Sequence, residues 1–374
     1  MLMLLALVFC ALLVFFLMVY FGYYALVRSY ARKPWNVNID QKYRPSVSIL
    51  IPTHNEEKNI GQKLDNIVRV SYPEELIEII VVDDASTDRT LSVIEGFLEK
   101  NQVRNLKIVR QDSREGKSAA LNKALGVSSN QIVIVSDADT TWDKDILEKA
   151  IPYLADPKVG ATTSVGINSN ERESWVTKGE GTYLNFVSVM RTGESKLYST
   201  IRFEGGFCAY KKEAFDHFDD ETGADDSGTA LNIVQNGWRT ILVPEAVFYT
   251  WFPSDLSGKM KTKIRRANQL IGLWIKCFRL MLRRQLRLPK KIAIPQLLLF
   301  IANPTVLLSL TIVAFVTVAL FPFSFFSLAL VLLIGGSLLL ARRIFLEVLV
   351  DNIILLFALF SFLVGKRYIS WESH

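Results

Sequence analysis

The hydrophobic pattern divides the chain into stretches of opposite character. Met1 to Val27 is almost wholly apolar, with no charge before Arg28. At about 1.5 Å of rise per residue, such a helix is longer than the roughly 30 Å hydrocarbon core requires. It predicts a retained membrane anchor rather than a cleaved signal peptide, which would have a charged start and a small-residue cleavage site. From Arg28 to about Ser257 the chain turns polar and holds nearly every Asp and Glu it has. Lys259 to Lys291 then carries twelve Lys and Arg and no acid, striped with Leu270, Ile271, Leu273, Trp274, Ile275, Phe278, Leu280, Met281 and Leu282. Basic, apolar-striped helices of this kind lie on an anionic leaflet. Further apolar runs follow at Ile292 to Leu320, Phe325 to Ala341 and Ile344 to Val364, the last interrupted by Glu347, Asp351 and Asn352.

Inside the polar stretch the period itself alternates. "SVSILIPT" is a β-branched run, followed by "NEEKNIGQKLDNIVRV" with Ile60, Leu64, Ile67 and Val68 at helical spacing. "IEIIVVDDAS" with "TDRTLSVIEGFLEK", "LKIVRQD" with "GKSAALNKALGV", and "QIVIVSDAD" with "DKDILEKAIPYL" repeat the pair. Strand and helix in alternation predict an α/β domain with a mostly parallel sheet covered on both faces. Ligands of such sheets bind beyond the carboxyl ends of the strands, where "PTHNEE", "DDASTD" and "DAD" fall. The plan is a membrane helix over 1–28, an α/β domain over 29–257, basic amphipathic interface helices over 258–291, and membrane helices with a short tail over 292–374.

Composition and charge sharpen this. A chain of 374 residues with 50% hydrophobic residues is too apolar for an ordinary soluble protein. Arg28, Arg32, Lys33, Arg342 and Arg343 flank the apolar runs and place the α/β domain in the cytoplasm of a multi-pass cell-membrane protein by the positive-inside rule. The side on which the tail ends is left open. The basic run, attached directly to lipid-seeking sequence, predicts membrane lipid rather than nucleic acid as its partner. Cys10, Cys208 and Cys277 have no metal spacing and are too few for a disulfide framework; His54, His217 and His374 form no cluster, so a zinc site is not expected.

One local feature raises a chemical question. Asp137 and Asp139 stand two positions apart just after the apolar run Ile132 to Val135. Like charges held near one point are costly unless a cation sits between them, and a hard divalent ion accepts carboxylate oxygens while leaving sites for phosphate. Acids in that pattern also cap turns. With "DDASTD" at another strand end the metal reading gains weight.

At this point the chain resembles a known family. "ILIPTHNEEKNI", "EIIVVDDASTDRT", "GKSAALNKAL", "IVIVSDADT" and "GADDSGTALNIVQNGWRTILVPEAVFY" look like the successive motifs of family 2 glycosyltransferases, inverting enzymes with a GT-A nucleotide-sugar domain. The resemblance runs from Val47 to roughly Gln269, and the membrane plan is similar to hyaluronan, cellulose and poly-N-acetylglucosamine synthases and to ceramide glucosyltransferases. It implies a Rossmann-like GT-A domain, a nucleotide-sugar donor with UDP as the default, and a glycan or lipid acceptor. It also implies Mg²⁺ or Mn²⁺. Thr53, Glu56 and Asp84 match positions that hold the nucleoside, with Asp83 beside them, and Lys117 matches the Gly-Lys that packs on the nucleotide. Asp137 matches the donor-side acid, Asp139 the metal ligand and Asp226 the catalytic base; Asp225 stands where the family has Glu. Asp226 precedes "SGTALNIVQNG", so it sits at a helix start, where an ordinary N-cap would look the same. His54 is the second-ranked base.

Processive members carry Gln-x-x-Arg-Trp after the base; here "TKIRRANQ" supplies Thr262, Arg265 and Arg266. Either arginine could neutralise the departing diphosphate, since a guanidinium matches phosphate oxygens bidentately. Trp251 or Trp274 would have to replace the missing Trp. Processivity, the sugar and the oligomeric state stay open, and "SVGINSNERESW" and "RFEGGFCAY" are the loops expected to recognise the hexose.

Overall fold

The computed structural model describes residues 1–101, 105–340 and 342–366. The tail beyond Lys366 and Ala341 at the end of one apolar run lie outside the described residues. The chain forms two compact units. One is Val27–Asp255 with Gln285–Leu288; the other gathers Met1–Leu26, Leu256–Arg284 and the described residues 289–366.

The first unit is built on eight strands, β1 Val47–Thr53, β2 Ile77–Asp83, β3 Leu106–Arg110, β4 Ile132–Val135, β5 Thr141–Trp142, β6 Val159–Asn168, β7 Cys208–Lys211 and β8 Arg239–Thr250. They form one sheet in the order β3-β2-β1-β4-β7-β6-β8-β5. The half β3-β2-β1-β4 is parallel, with Val47 beside both Ile77 and Ile132. All seven residues of β1 are buried, as expected of a strand covered on both faces. Beyond β4 the direction reverses: β7 runs antiparallel to β4 and to β6, β6 and β8 are parallel, and the short β5 runs antiparallel to β8. Ile60, Leu64 and Ile67 from the helix Ile60–Ile67 fill one core with Ile49, Ile51, Val81 and Ile134, as their spacing predicts.

The segment after the first apolar helix is fixed to this domain. Lys196 Nζ donates to the carbonyls of Ala31 and Lys33, both at 2.8 Å, and Arg239 Nη2 donates to Asn36 Oδ1 at 3.0 Å. Gly193, on the helix Trp175–Leu197, lies so close to Val27 that an added Cβ would stand 2.0 Å from the Val27 carbonyl oxygen. The link Gln285–Leu288 is also docked here, through Gln235 Nε2 to the Gln285 carbonyl at 2.9 Å and the Arg287 N–H to Gln235 Oε1 at 2.8 Å. Arg287 is thus tied by its backbone to the α/β domain.

In the second unit, three helices among the described residues are long and apolar enough to cross a membrane: Leu2–Ala31, Lys290–Leu320 and Phe345–Leu363. Phe325–Leu339 is apolar but shorter. The early basic segment is a single 27-residue helix, Leu256–Leu282, and it packs along Arg342–Leu363. Lys259 Nζ pairs with Glu347 and Lys263 Nζ with Asp351, each at 2.8 Å, and Asn268 Nδ2 donates to the Ala358 carbonyl at 3.2 Å. The four-residue steps match because residues i and i+4 share a helix face. Asn352 Nδ2 donates to Tyr20 Oη at 2.9 Å. The polar residues that interrupt the last apolar run are therefore partnered inside the protein.

Lys259 is fully buried, so removing it strands the Glu347 carboxylate. Lys259→Met is expected to destabilise the protein by about 3 kcal/mol, the usual cost of breaking a buried pair, and Lys259→Met with Glu347→Leu to recover most of that loss. Thermal unfolding in detergent reads both; a double variant as unstable as the single one would contradict the pairing.

Candidate active site

Three neighbouring parallel strands, β2, β1 and β4, end side by side, and the acidic clusters follow them. The first two loops are stapled together. Asn55 and Ala85 take φ of 57° and 53°; the Asn55 N–H donates to Ser86 Oγ at 3.0 Å and the Thr87 N–H to Asn55 Oδ1 at 2.8 Å. Thr53, expected at the nucleoside, is wholly buried and donates its hydroxyl to the Val82 carbonyl at 3.1 Å, so its side chain serves the sheet. Asp84 is engaged too: its two carboxylate oxygens accept from the N–H groups of Glu115 and Gly116 at 2.7 and 2.9 Å. It thereby fixes the loop that presents Lys117. Asp83 differs, because Oδ2 accepts from the Ser86 N–H at 3.2 Å while the buried Oδ1 has no hydrogen-bond partner among the described residues. Glu56 is buried, which pushes its carboxyl up to about 7; an Asn59 hydrogen bond opposes the shift and Asp139 and Asp137 add to it. His54 Nδ1 donates to the Asp84 carbonyl, 2.7 Å away.

Lys117 is the centre of the arrangement. Its Nζ lies 2.9 Å from Asp137 Oδ1, 3.0 Å from Asp225 Oδ2 and 3.5 Å from Asp226 Oδ2. Burial alone would lower its pKa, but the three carboxylates outweigh that and hold it well above the usual lysine range. The helix Lys117–Val127 reaches these acids because Ser118 Oγ donates to the Asp219 carbonyl at 3.0 Å and Asn122 exchanges two bonds with Phe218, at 3.2 and 2.7 Å. Those residues lead into the helix Asp225–Gln235. Gly205 closes the cluster: an added Cβ would stand 2.6 Å from both Lys117 Nζ and Asp137 Oδ2.

Asp226 sits in the first turn of its helix but is not the cap, which is Ala224. Its Oδ1 is buried and has no hydrogen-bond partner among the described residues. Burial, then the neighbouring Asp225 charge, push its carboxyl up to about 8, with Lys117 pulling the other way. A carboxyl group that titrates near neutral pH, with one oxygen outside any hydrogen bond, has the chemistry that proton abstraction from a hydroxyl needs.

The Asp137–Asp139 turn is pinned from below. The Asp137 N–H donates to the Gly205 carbonyl at 2.9 Å, Thr140 Oγ1 to the Asp137 carbonyl at 3.0 Å, and Trp142 Nε1 to the Gly206 carbonyl at 2.6 Å. Asp139 is exposed at its tip, whereas Asp137 is half-buried against Lys117. The question of what compensates these acids thus has a partial answer inside the chain. No three of His, Cys, Asp and Glu gather as a metal cage among the described residues. One or two hard carboxylate oxygens nevertheless fit Mg²⁺ or Mn²⁺, which complete their shells with phosphate oxygens and water. Lys63, unremarked in the sequence reading, lies fully buried with Nζ 4.3 Å from the Trp142 ring centre. Burial lowers its pKa to about 7, against the pull of Asp137 and Asp139. Its place on the Ile60, Leu64, Ile67 face was the available signal.

Arg265 and Arg266 lie on the helix Leu256–Leu282 in the other unit, half-buried and exposed respectively. Trp251 is 58% exposed, as an acceptor platform requires, but Trp274 is buried and stacked on Phe300 at 6.2 Å, which removes it from that role.

A nucleotide-binding type of α/β sheet with acids at its strand ends and a buried acid at a helix start outlines a GT-A glycosyltransferase. Residues 48–218 match the family described as Glycosyl transferase family 2. A solved structure described as a mannosyltransferase, PcManGT from Pyrobaculum calidifontis in complex with GDP-Man and Mn2+, is 31% identical, covers 97% of this chain and all of that one, and superposes with a TM-score of 0.83. The β-monoglucosyldiacylglycerol synthase of Synechocystis sp. is 30% identical over 52% of this chain and 41% of its own. The poly-β-1,6-N-acetyl-D-glucosamine synthase of Staphylococcus aureus strain COL is 25% identical over 67% of this chain and 60% of its own. The chain thus spans roughly half the length of these two curated relatives. It belongs to glycosyltransferase family 2, and its apolar helices make it a membrane-located member.

The Asp84 clamp yields a test separate from catalysis. Asp84→Ala leaves two backbone N–H groups without their acceptor and is expected to cost about 1–3 kcal/mol of stability. Hydrogen exchange at Glu115 and Gly116 should accelerate in this variant; unchanged protection there would contradict the clamp.

Proposed function

We propose that this protein is a metal-dependent inverting glycosyltransferase of the membrane, moving a hexose from a nucleoside-diphosphate sugar to a hydroxyl on a lipid or glycan, with its catalytic domain on the cytoplasmic side. The observation that carries the reading is the buried Asp226, its Oδ1 open, held by Lys117 within one ion-paired cluster with Asp137. Asp226 takes the proton of the acceptor hydroxyl as that oxygen bonds to the anomeric carbon. The bond from carbon to diphosphate breaks on the opposite face, and its electron pair leaves with the nucleoside diphosphate. Attack from the opposite face inverts the anomeric centre. A divalent cation, Mg²⁺ or Mn²⁺, held by Asp139 with Asp137 beside it, supplies positive charge against the diphosphate. Arg265 and Arg266 are the candidates to add a guanidinium to that charge.

Asp83 is the chain's candidate for the nucleobase, since its buried, open Oδ1 suits a ring N–H donor. Uracil offers one such donor. Guanine offers one ring donor, N1–H, with the exocyclic N2 amino group beside it. UDP-sugar is the first reading by family resemblance, and the full-length similarity to a GDP-Man-bound mannosyltransferase supports GDP-mannose as the second. Helices able to span a membrane suit a lipid acceptor entering sideways and equally a glycan held at the membrane surface.

A screen for nucleoside-diphosphate release across UDP- and GDP-sugars, with the product weighed by mass spectrometry, tests the reading directly; no release from any sugar would contradict it. Asp226→Asn should lower turnover by roughly 10²–10⁴-fold while binding nucleotide as the wild type does, because a base acts on the acceptor. Equal loss of both would make Asp226 structural. Asp139→Asn should raise the Mn²⁺ concentration for half-maximal turnover by about tenfold, or 1.4 kcal/mol of cation affinity. Wild-type Mn²⁺ dependence would remove Asp139 from that role.

A further inference from the structure

The chain that leads into the membrane-capable helix Lys290–Leu320 carries cations without counter-charges. Arg279, Arg283, Arg284, Arg287, Lys290 and Lys291 are exposed, and no ion pair among the described residues includes any of them. Lys290 opens a helix able to cross a membrane, so Arg283, Arg284 and Arg287 stand close in sequence to the apolar boundary. Exposed, unpaired cations in such a place attract anionic headgroups. Arg284 takes the left-handed backbone, with φ of 58°, and turns the chain out of the helix Leu256–Leu282.

The segment that follows the turn, Gln285–Leu288, belongs to the α/β unit and grips one of its helices. Gln235, the last residue of the helix Asp225–Gln235, is bound through both atoms of its amide: Nε2 donates to the Gln285 carbonyl at 2.9 Å, and Oε1 accepts from the Arg287 N–H at 2.8 Å. An added Cβ on Gly237 would stand 2.8 Å from Arg287 Nη1, so this guanidinium lies by the carboxyl end of the helix, where a cation is favoured. The first turn of the same helix carries Asp226. Between its ends the helix is packed without slack. An added Cβ would stand 2.3 Å from Asp219 Oδ2 at Gly228, and on Gly160 of β6 it would stand 2.9 Å from Ile233 Cγ2. A helix held this way moves as one body, so the loop that grips Gln235 bears on the position of Asp226. Misplacing a reacting group by about 1 Å can cost roughly 10²-fold in rate.

We propose that Gln285–Leu288 and the cations beside it form a contact surface for anionic phospholipid whose occupancy is read at Asp226 through the helix Asp225–Gln235, so that an anionic bilayer raises turnover. The inference rests on Asp226 as the base and adds what regulates it. The full-length protein is placed in nanodiscs of phosphatidylcholine, alone or with about one-third phosphatidylglycerol, and nucleoside-diphosphate release and hydrogen exchange are measured in both. The wild type should turn over about threefold faster or more in the anionic discs, and exchange at Asn236 and Gly237 should slow there. Arg283→Gln combined with Arg287→Gln should lose most of that gain and keep the phosphatidylcholine rate. Gln235→Ala keeps every cation but cuts the grip, and it should lose the gain as well. Each variant is judged by its ratio between two lipids, which a general loss of folded protein does not imitate. Equal rates and equal exchange in the wild type overturn the proposal. Gln235→Ala with the full gain overturns the route through the helix, and the same gain from glycerol phosphate added to phosphatidylcholine discs overturns the membrane as the occupant. If the wild type released no nucleoside diphosphate in either disc while exchange still slowed in the anionic one, the failure would lie with the glycosyltransferase reading and the lipid surface would stand.

Discussion

One ammonium group organises the site. Lys117 Nζ meets Asp137, Asp225 and Asp226, three carboxylates from two separate segments, and without it their mutual repulsion would drive those segments apart. The rest of the domain can be understood as support for that contact. Asp84 fixes the loop before Lys117, Ser118 and Asn122 bind the loop before Asp225, and Gly205 permits the close approach that completes the cluster. Position and electrostatics come from the same bonds, so the group that holds Asp226 in place also sets where it titrates.

The cluster has a second layer in Lys63, a fully buried cation beneath the Asp137–Asp139 turn. An uncompensated lysine in a core is expensive, and its retention makes sense only beside carboxylates. Both acids of the turn act on it, as the opposing pull on its pKa shows. The membrane unit uses the same device for a structural end: Lys259 and Lys263 meet Glu347 and Asp351, so acids in an apolar run become cross-links between two helices. Polar residues at membrane depth suggest a transport pathway when they line a cavity. Here they are spent on packing.

Much of this was legible in the sequence, for identifiable reasons. The strand and helix alternation gave β1 to β4 and their helices because buried parallel strands are continuous apolar runs and the helices between them are periodic. Motif order then led to Asp137, Asp139 and Asp226. What sequence reasoning missed depends on contacts between distant segments. β5 to β8 are mixed in direction, and β5 is only two residues long. Nothing local announces that Thr53 turns inward, that both oxygens of Asp84 are occupied by backbone N–H groups, or that Trp274 stacks on Phe300. Lys117 was recognised as a cation near a diphosphate, but its three carboxylate partners lie 20 and more than 100 residues away in sequence. Glycines were the most informative residues passed over, because Gly193 and Gly205 each mark a close approach that any side chain would block.

The coupling between Lys117 and Asp226 is open to one direct measurement, the pH dependence of kcat/KM, which reports the free enzyme. A base works deprotonated, so the rate should rise with pH through the titration of Asp226, near 8 in the free protein, and level off above it. Lys117 is the cation that draws this carboxyl down, and Lys117→Met removes it while leaving Asp137 and Asp225 uncompensated. The account predicts that the acidic limb of the surviving activity moves to higher pH by about one unit or more, equivalent to roughly 1.4 kcal/mol of lost interaction. An acidic limb at the wild-type position, or one moved to lower pH, would contradict it.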